Sequence, residues 1–305
     1  MGDLIDMPYL ATVTINSSLC IFNTIVNMFF SFCLIFPTEP GQRKQPVTLL
    51  LALLISCSLF YSVSTVAGLF WERMTYEHFV LSMLIVDCTV DLSMVSYVWL
   101  SFYFYIQIVP ALCPLSHWVK RNIKTSIYVL LALDILVVIS TKLNMYVLDK
   151  MVWSLHLAHP NSSTWDYPMP EEFYRLRALA LYPVMLHYAA LLCVSMVSSL
   201  STVRHLHKHM TTLAAMGASV SAARLRGQIR VTVTGAVQAV FFSVLAVYFL
   251  FQCFTSETPQ FYLNISITFT VTSLFVSGTT VTLGINQSVF RHRIVSVFGA
   301  IRLGH

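Results

Sequence analysis

Asp87 and Asp91 stand four residues apart in a predominantly apolar stretch of the chain. On a helix that spacing puts both carboxylates on one face. A carboxylate at the centre of a bilayer costs about 2.5–3.5 kcal/mol on insertion scales, so two on one face are not expected to look at lipid. The chemistry they offer is recognition: they line a wet cavity and attract a cationic or donor-rich ligand. The structural alternative is protonation, or hydrogen bonds to neighbouring Ser and Thr. Asp134 is alone in its own apolar run, where an interhelical hydrogen bond is the favoured reading. Asn23 and Asn27 are one turn apart and read as packing glue, since amides hold helices together in lipid. Among His205, His207 and His209 only the outer two share a helix face, and Lys208 sits between them. That is a solvated basic extension rather than a metal site. There is no Ser/His/Asp set at one membrane depth, no Gly-rich phosphate loop and no His-Glu-x-x-His. No enzyme activity, cofactor or metal is expected.

The elements that must position these residues are membrane spans. Of 305 residues 57% are hydrophobic and only 10% charged, against about 25% charged in a soluble domain. The apolar residues come in runs long enough to cross a bilayer, which takes about 20 residues. The runs predict spans over 11–36, 47–71, 78–109, 124–147, 177–203, 229–254 and 261–285, with a short tail from 286 to 305. Prolines mark the breaks: Pro37 and Pro40, Pro110 and Pro114, then Pro160, Pro168 and Pro170, and Pro259. The fold class is all-α, one seven-helix membrane domain, because each helix satisfies its own backbone in lipid. The seven cysteines fall mostly inside apolar runs and behave there as small reduced hydrophobes. Met1–Leu10 has Asp3 and Asp6 but no basic region, so no cleaved signal peptide is expected.

Lys and Arg set the orientation. With the N-terminus outside, the inner segments hold thirteen of the eighteen basic residues: Arg43, Lys44, Lys120, Arg121, Lys124, Arg204, Lys208, Arg224, Arg226, Arg230, Arg291, Arg293 and Arg302. Outer segments hold Arg73, Lys150, Arg175 and Arg177, with Lys142 near a span end. This bias predicts an extracellular N-terminus and a cytosolic C-terminus. Asn161-Ser162-Ser163 is a glycosylation sequon in the longest outer loop. The net charge of +5 is explained by these loops and does not suggest nucleic acid. Arg204, His205 and Lys208 form a cationic inner surface suited to a partner protein or anionic lipid. Arg291, His292 and Arg293 suggest a short interfacial helix. Seven spans with a basic third inner loop resemble the outline of a G-protein-coupled receptor.

Within that outline, two blocks resemble the bitter taste receptor family (taste receptors type 2). Tyr103-Phe104-Tyr105-Ile106-Gln107-Ile108 is similar to the family's Phe-Tyr-Phe-Leu-Lys-Ile, and Pro114-Leu115-Ser116-His117-Trp118-Val119-Lys120 to its Pro-Leu-Phe-Leu-Trp-Leu-Lys. Ala246-Val247-Tyr248-Phe249-Leu250 is similar to Ala-Ile-Tyr-Phe-Leu, and Arg204–Met210 follows the family's basic end of span 5. Gly278-Thr279 replaces the family's His-Ser or His-Pro, Gln107 replaces a Lys, and Val86 and Val90 stand where Trp and Asn are usual. The resemblance implies a plasma-membrane receptor that binds a small bitter-type agonist in the outer half of the bundle. It implies a heterotrimeric G protein as partner, alongside membrane lipids. Its pocket positions fall on Val86, Asp87, Val90 and Asp91, and its switch aromatic on Tyr248. Tyr182, Met185, Phe251 and Thr268 are candidate further walls. Tyr105, Gln107, Leu115, Lys120, Arg204, His205 and Lys208 cluster at the inner ends of spans 3 and 5 and are the candidate coupling face.

Two rival classes fit the sequence less well. A vomeronasal type 1 receptor shares the short termini, but its Arg and Ser/Thr-Cys pattern in span 3 is missing. A transporter or channel would show matched half-repeats or Gly-broken spans, and the spans here have few Gly. The topology makes a direct prediction. Asn161→Gln is expected to run faster on a gel than the wild-type protein, and wild type is expected to shift likewise on deglycosylation. A cytosolic tag readout from this loop would overturn the topology.

Overall fold

The structure is a computed structural model that describes residues 9–36, 46–69, 76–110, 114–158, 171–215, 222–255, 265–287, 290, 291 and 293. Asn161 and most of the tail lie outside the described residues. Eight helices are described: α1 (Tyr9–Ile35), α2 (Pro46–Leu69), α3 (Tyr76–Ile108), α4 (Pro114–Arg121), α5 (Ile123–Ala158), α6 (Glu171–Ala215), α7 (Ala222–Thr255) and α8 (Ile265–Asn286). No strand occurs among the described residues. All except α4 are long and apolar enough to cross a membrane. They match the seven expected spans, but several helices outrun the apolar runs. α5 continues to Ala158 and α6 from Glu171 to Ala215. Hydropathy marks where a helix is apolar, and a helix continues as long as its backbone bonds do, through polar sequence as well.

α4 is an addition that the apolar runs did not mark. Pro114 starts it, where a missing backbone N–H costs nothing. Lys120 and Arg121 end it, where cations favour the negative end of the helix dipole. Backbone bonds from Asn122 to Trp118 and from Ser126 to Asn122 carry the chain almost without interruption into α5.

The faces of the helices are inverted relative to a water-soluble protein. On α1, Asn16, Asn23 and Asn27 are fully buried, while Ile21, Ile25, Met28 and Phe32 are exposed. On α7, Val233, Val237, Val240, Val244, Val247 and Phe251 form one exposed apolar stripe. Only lipid solvates such a surface; a continuous apolar face of this kind marks a membrane contact. The protein is therefore a multi-pass membrane protein. Exposed hydroxyls are closed off locally: Thr14, Ser18 and Thr141 each donate to the carbonyl four residues back in their own helix.

Polar side chains set the helix registers. Asn16 Nδ2 donates to Thr270 Oγ1 (3.2 Å), Asn23 Nδ2 to Ser277 Oγ (3.0 Å), and Asn27 Nδ2 to both Ser58 Oγ (2.9 Å) and Thr280 Oγ1 (3.0 Å). The pairs step in parallel along α1 and α8. At the end of the seam Gly284 gives room to the Phe30 ring: a Cβ there would come within 3.0 Å of it. Phe30 stacks in turn on Phe290, 4.2 Å between centroids, and Arg293 donates to the Phe36 carbonyl at 2.7 Å. Tyr61 ties α2 to α8 through Thr272 and Ser273, at 3.0 and 2.8 Å. α3 is the central post, the most buried of the seven spans, and it packs against α2, α4, α5 and α6.

Interhelical hydrogen bonds in membranes average about 0.6 kcal/mol each, with a maximum of about 1.7. Asn27→Ala removes two of them and is expected to lower stability by about 1–2 kcal/mol, read as an earlier thermal transition of purified protein in detergent. Thr24→Ala, which loses only a bond to its own helix, is expected to leave the transition in place. Equal shifts would argue against the seam.

Candidate functional site

α4 lies at one end of the bundle, and the start of α3 at the other. Two groups of polar residues occupy these two halves. In the half away from α4, Lys142 reaches from α5 across to α3. Its Nζ lies 3.1 Å from Asp91 Oδ2 and 3.7 Å from Asp87 Oδ2. Tyr188 of α6 donates its hydroxyl to the other oxygen of Asp91 at 2.7 Å. Asp91 is thus engaged on both oxygens, and its side chain is 6% exposed. Asp87 has only the longer contact, and its side chain is 54% exposed. The cluster holds two carboxylates and one ammonium, so it has one carboxylate in excess, and the accessible one is Asp87. Lys142 was placed near a span end by the sequence; its side chain is 15% exposed and it is part of the bundle interior.

One register produces this arrangement and the next. Moving eight residues along α3, from Asp91 to Trp99, moves the partner eight residues back along α5, from Lys142 to Asp134. Trp99 Nε1 donates to Asp134 Oδ2 at 2.6 Å, and His187 Nδ1 of α6 lies 3.8 Å from Asp134 Oδ1. Asp134 therefore makes the interhelical bond that its isolation in an apolar run favoured. His187 neighbours Tyr188, so the two clusters share one turn of α6.

α7 and α8 complete this half. Phe249 stacks on Tyr188 with centroids 5.5 Å apart. Tyr248 shares a 2.8 Å hydrogen bond with Thr268, and Gln252 Nε2 donates to both hydroxyls, at 3.0 and 2.8 Å. Tyr248 and Thr268 are half-buried, as is Met185. Val86 and Val90 are buried in the core and present no polar group. Tyr182 and Phe251 lie 62% and 52% exposed, and helical geometry puts Phe251 opposite the buried Phe242, so these two face away from the bundle axis. The aromatic rings of α6 and α7 that meet beside the ion cluster are Tyr188 and Phe249. Sequence reasoning missed Lys142 and Tyr188. The only signal was a second charge inside an apolar run, and it carried no indication of a partner.

The half nearer α4 contains an open cavity with about 630 Å³ of empty space, some of it in contact with the exterior. Tyr97, Leu100, Ser101, Phe104 and Ile108 of α3 line it, with Ser199 and Thr202 of α6, Thr232, Gly235 and Gln238 of α7, and Thr279, Thr282 and Asn286 of α8. None of the described lining residues is charged. Gln238 links α7 to α8 at its floor, donating to Thr279 Oγ1 at 2.5 Å and accepting from Thr282. Tyr97 donates to the Gly235 carbonyl at 3.2 Å, tying α3 to α7. Around this end, Lys120, Arg204 and Lys208 are exposed; Tyr105 and His205 are half-buried; Gln107 is exposed and donates to the Tyr103 hydroxyl. The side chain of Leu115 lies outside the described residues. The expected coupling residues are therefore on the same end as the cavity. His205 and His209 stand with ring centroids 6.4 Å apart, and among the described residues no group of three potential metal ligands occurs.

No family model matches the chain, and no curated protein does. Among solved structures it is similar to squid rhodopsin, at 12% sequence identity and a TM-score of 0.57, over 98% of this chain and 88% of that one. The likeness is one of fold: this chain has the seven-helix architecture of the G-protein-coupled receptors.

Removing one member of a buried ion pair strands the other, at a cost of about 3–5 kcal/mol. Lys142→Met is therefore expected to destabilise the protein by about that amount, while Lys142→Met combined with Asp91→Asn recovers most of it. Thermal unfolding of the four variants of this cycle in detergent checks the coupling. Additive losses would mean that Lys142 and Asp91 do not act as a pair.

Proposed function

We propose that the protein is a chemosensory G-protein-coupled receptor of the bitter taste type, which binds a small molecule in the half of the bundle away from α4 and engages a heterotrimeric G protein at the α4 end. The observation that carries this reading is the cavity framed by α3, α6, α7 and α8, opening on the end where Lys120, Arg204 and Lys208 are exposed. The receptor fold, the excess of Lys and Arg in the segments on that side, and the two sequence blocks at the end of α3 and in α4 support it. The α4 end is then cytosolic and the N-terminus extracellular.

Ligand recognition in this reading centres on Asp87. Asp91 already has Lys142 and Tyr188 on its two oxygens; Asp87 has spare acceptor capacity and is accessible. A ligand with a cationic or donor-rich group would pair there, with Tyr248, Thr268 and Met185 as neighbouring walls. An agonist must bind the coupling-competent state better than the resting one, or no equilibrium shifts. The ties between α3, α5 and α6 at Lys142, Asp91 and Tyr188 are where a ligand on Asp87 can change the relative hold of those helices.

Two measurements test the reading. Cells expressing the protein are expected to give calcium or cyclic-nucleotide responses to agonist only with a competent G protein present, and Arg204→Glu with Lys208→Glu is expected to cut the response with little change in agonist affinity. A response that persists without any G protein, or solute flux in its place, would put the protein in another class. A ligand seated on Asp87 would cover its exposed carboxylate, and losing a charge contact so buried costs about 2–5 kcal/mol, so Asp87→Asn is expected to weaken agonist affinity about thirtyfold or more at equal surface density. Wild-type affinity in that variant across chemically distinct agonists would remove Asp87 from the site.

A further inference from the structure

The outer surface where α4 passes into α5 carries charge that neither half of the bundle uses. Arg121 ends α4, Lys124 lies in the first turn of α5, and both side chains are exposed. No Asp or Glu occurs in the sequence between Asp91 and Asp134. Among the described residues neither cation has an ion-pair partner. The described lining of the cavity at this end comes from α2, α3, α6, α7 and α8, so the α4–α5 surface is separate from it.

Directly beyond these cations the helix faces lipid. Steps of four from Lys124 keep to one side of a helix, and they meet Tyr128, Ala132 and Leu136, all exposed. Val129, Leu133 and Ile139 beside them are exposed as well, while Ile127, Leu131 and Val138 are buried against the bundle. α5 is the least buried of the seven spans. The row therefore runs from an ammonium through an aromatic ring to hydrocarbon, which is the polarity order of a lipid from headgroup to acyl chain. Trp118, whose carbonyl accepts the Asn122 N–H, is 59% exposed, and an indole at a membrane boundary sits at headgroup level. A soluble partner could neutralise the cations but could not follow the row into hydrocarbon. A lipid does both.

We propose that the α4–α5 junction is a binding site for an acidic phospholipid with a phosphate monoester on its headgroup, in the leaflet at the α4 end. Arg121 offers the planar fork that takes two phosphate oxygens together, and Lys124, three residues on, adds a compact point charge. Two cations on one headgroup favour a lipid that carries more than one negative charge. A phosphate monoester supplies the extra charge, and a headgroup with a single net charge does not. Trp118 and Tyr128 flank the headgroup, and an acyl chain follows the row past Ala132 to Leu136, where the small side chain leaves room for it. The site stands apart from the proposed receptor function, because lipid binding is read on purified protein with no agonist or G protein present.

The test titrates purified full-length protein in detergent with phosphatidylinositol bisphosphate and, separately, with phosphatidylserine at equal total charge. Retained lipid is counted by native mass spectrometry. The expected result is one bisphosphate lipid held at concentrations where phosphatidylserine is not, with affinity about tenfold lower when Arg121→Gln and Lys124→Gln are combined. Both positions are exposed, and an unchanged thermal transition shows that this variant folds. Arg204→Gln with Lys208→Gln removes the same charge from α6 and is expected to leave lipid affinity as in wild type. Inositol trisphosphate, a headgroup without acyl chains, is expected to compete only weakly. Equal retention of phosphatidylserine, wild-type affinity in the folded Arg121 and Lys124 variant, an equal loss in the α6 variant, or full competition by inositol trisphosphate would overturn the proposal.

Discussion

Lipid offers no hydrogen bonds, and this constraint organises the rest of the protein. A polar side chain within a span must bond to its own helix, bond to a neighbouring helix or border a cavity. Serines and threonines mostly take the first course, which makes them neutral toward lipid: Thr14 and Thr141 are exposed and still bonded. Asparagines, aspartates and glutamine reach further and take the second: Asn16 and Asn27 bond to a carbonyl of their own helix and also across to a neighbour. The result is that hydrophobic sequence sets which segments enter the membrane, while a few polar pairs set how the segments lie against one another. Apolar contact alone discriminates poorly among registers, because a slipped helix meets equally apolar neighbours and equally apolar lipid.

The pairs are arranged so that each register is fixed at more than one point. α1 and α8 are pinned at Asn16, Asn23 and Asn27. α3 and α5 are pinned at Lys142–Asp91 and at Trp99–Asp134. α3 and α6 run parallel and meet at Asp91–Tyr188 and again at Ser101–Ser199. α3 takes part in both of the latter, which is why it serves as the post around which the remaining helices are placed. The ion cluster is therefore structural and chemical at once. Asp91 is spent on holding three helices together, and the same arrangement leaves Asp87 beside a fixed ammonium with part of its capacity free.

The two halves of the bundle differ in what holds them. Away from α4 the contacts are ionic and aromatic, with Tyr188 bonded to Asp91 and stacked on Phe249. Near α4 the contacts between α3, α6 and α7 are weaker hydrogen bonds: Tyr97 to a backbone carbonyl at 3.2 Å and Ser101 to Ser199 at 3.5 Å. Here the helices frame an open space instead of a filled core. A bundle tightly fastened at one end and loosely joined at the other is suited to changing the spacing of its loose ends. The strong tie on that side is Gln238 with Thr279 and Thr282, which joins α7 to α8.

By itself the sequence determined the number of spans, the all-helical class and the glue role of Asn23 and Asn27. Each of these follows from residue type and local spacing: length of an apolar run, backbone self-sufficiency in lipid, and an amide that must find a partner. The i, i+4 rule also put Asp87 and Asp91 on one face. What that rule does not contain is which helix the face meets, or at what height. Only the packed bundle brought Lys142 and Tyr188 to Asp91 and left Asp87 exposed, because the partner residues are far away in sequence and their meeting depends on the register of α3 with α5 and α6. The same reason separates Tyr182 and Phe251 from the interior. Depth along a helix is readable from residue counts, whereas rotation about its axis is fixed by neighbours. α4 and the long extensions of α5 and α6 were equally invisible to hydropathy, since their helicity rests on backbone bonds that polar residues make as well as apolar ones.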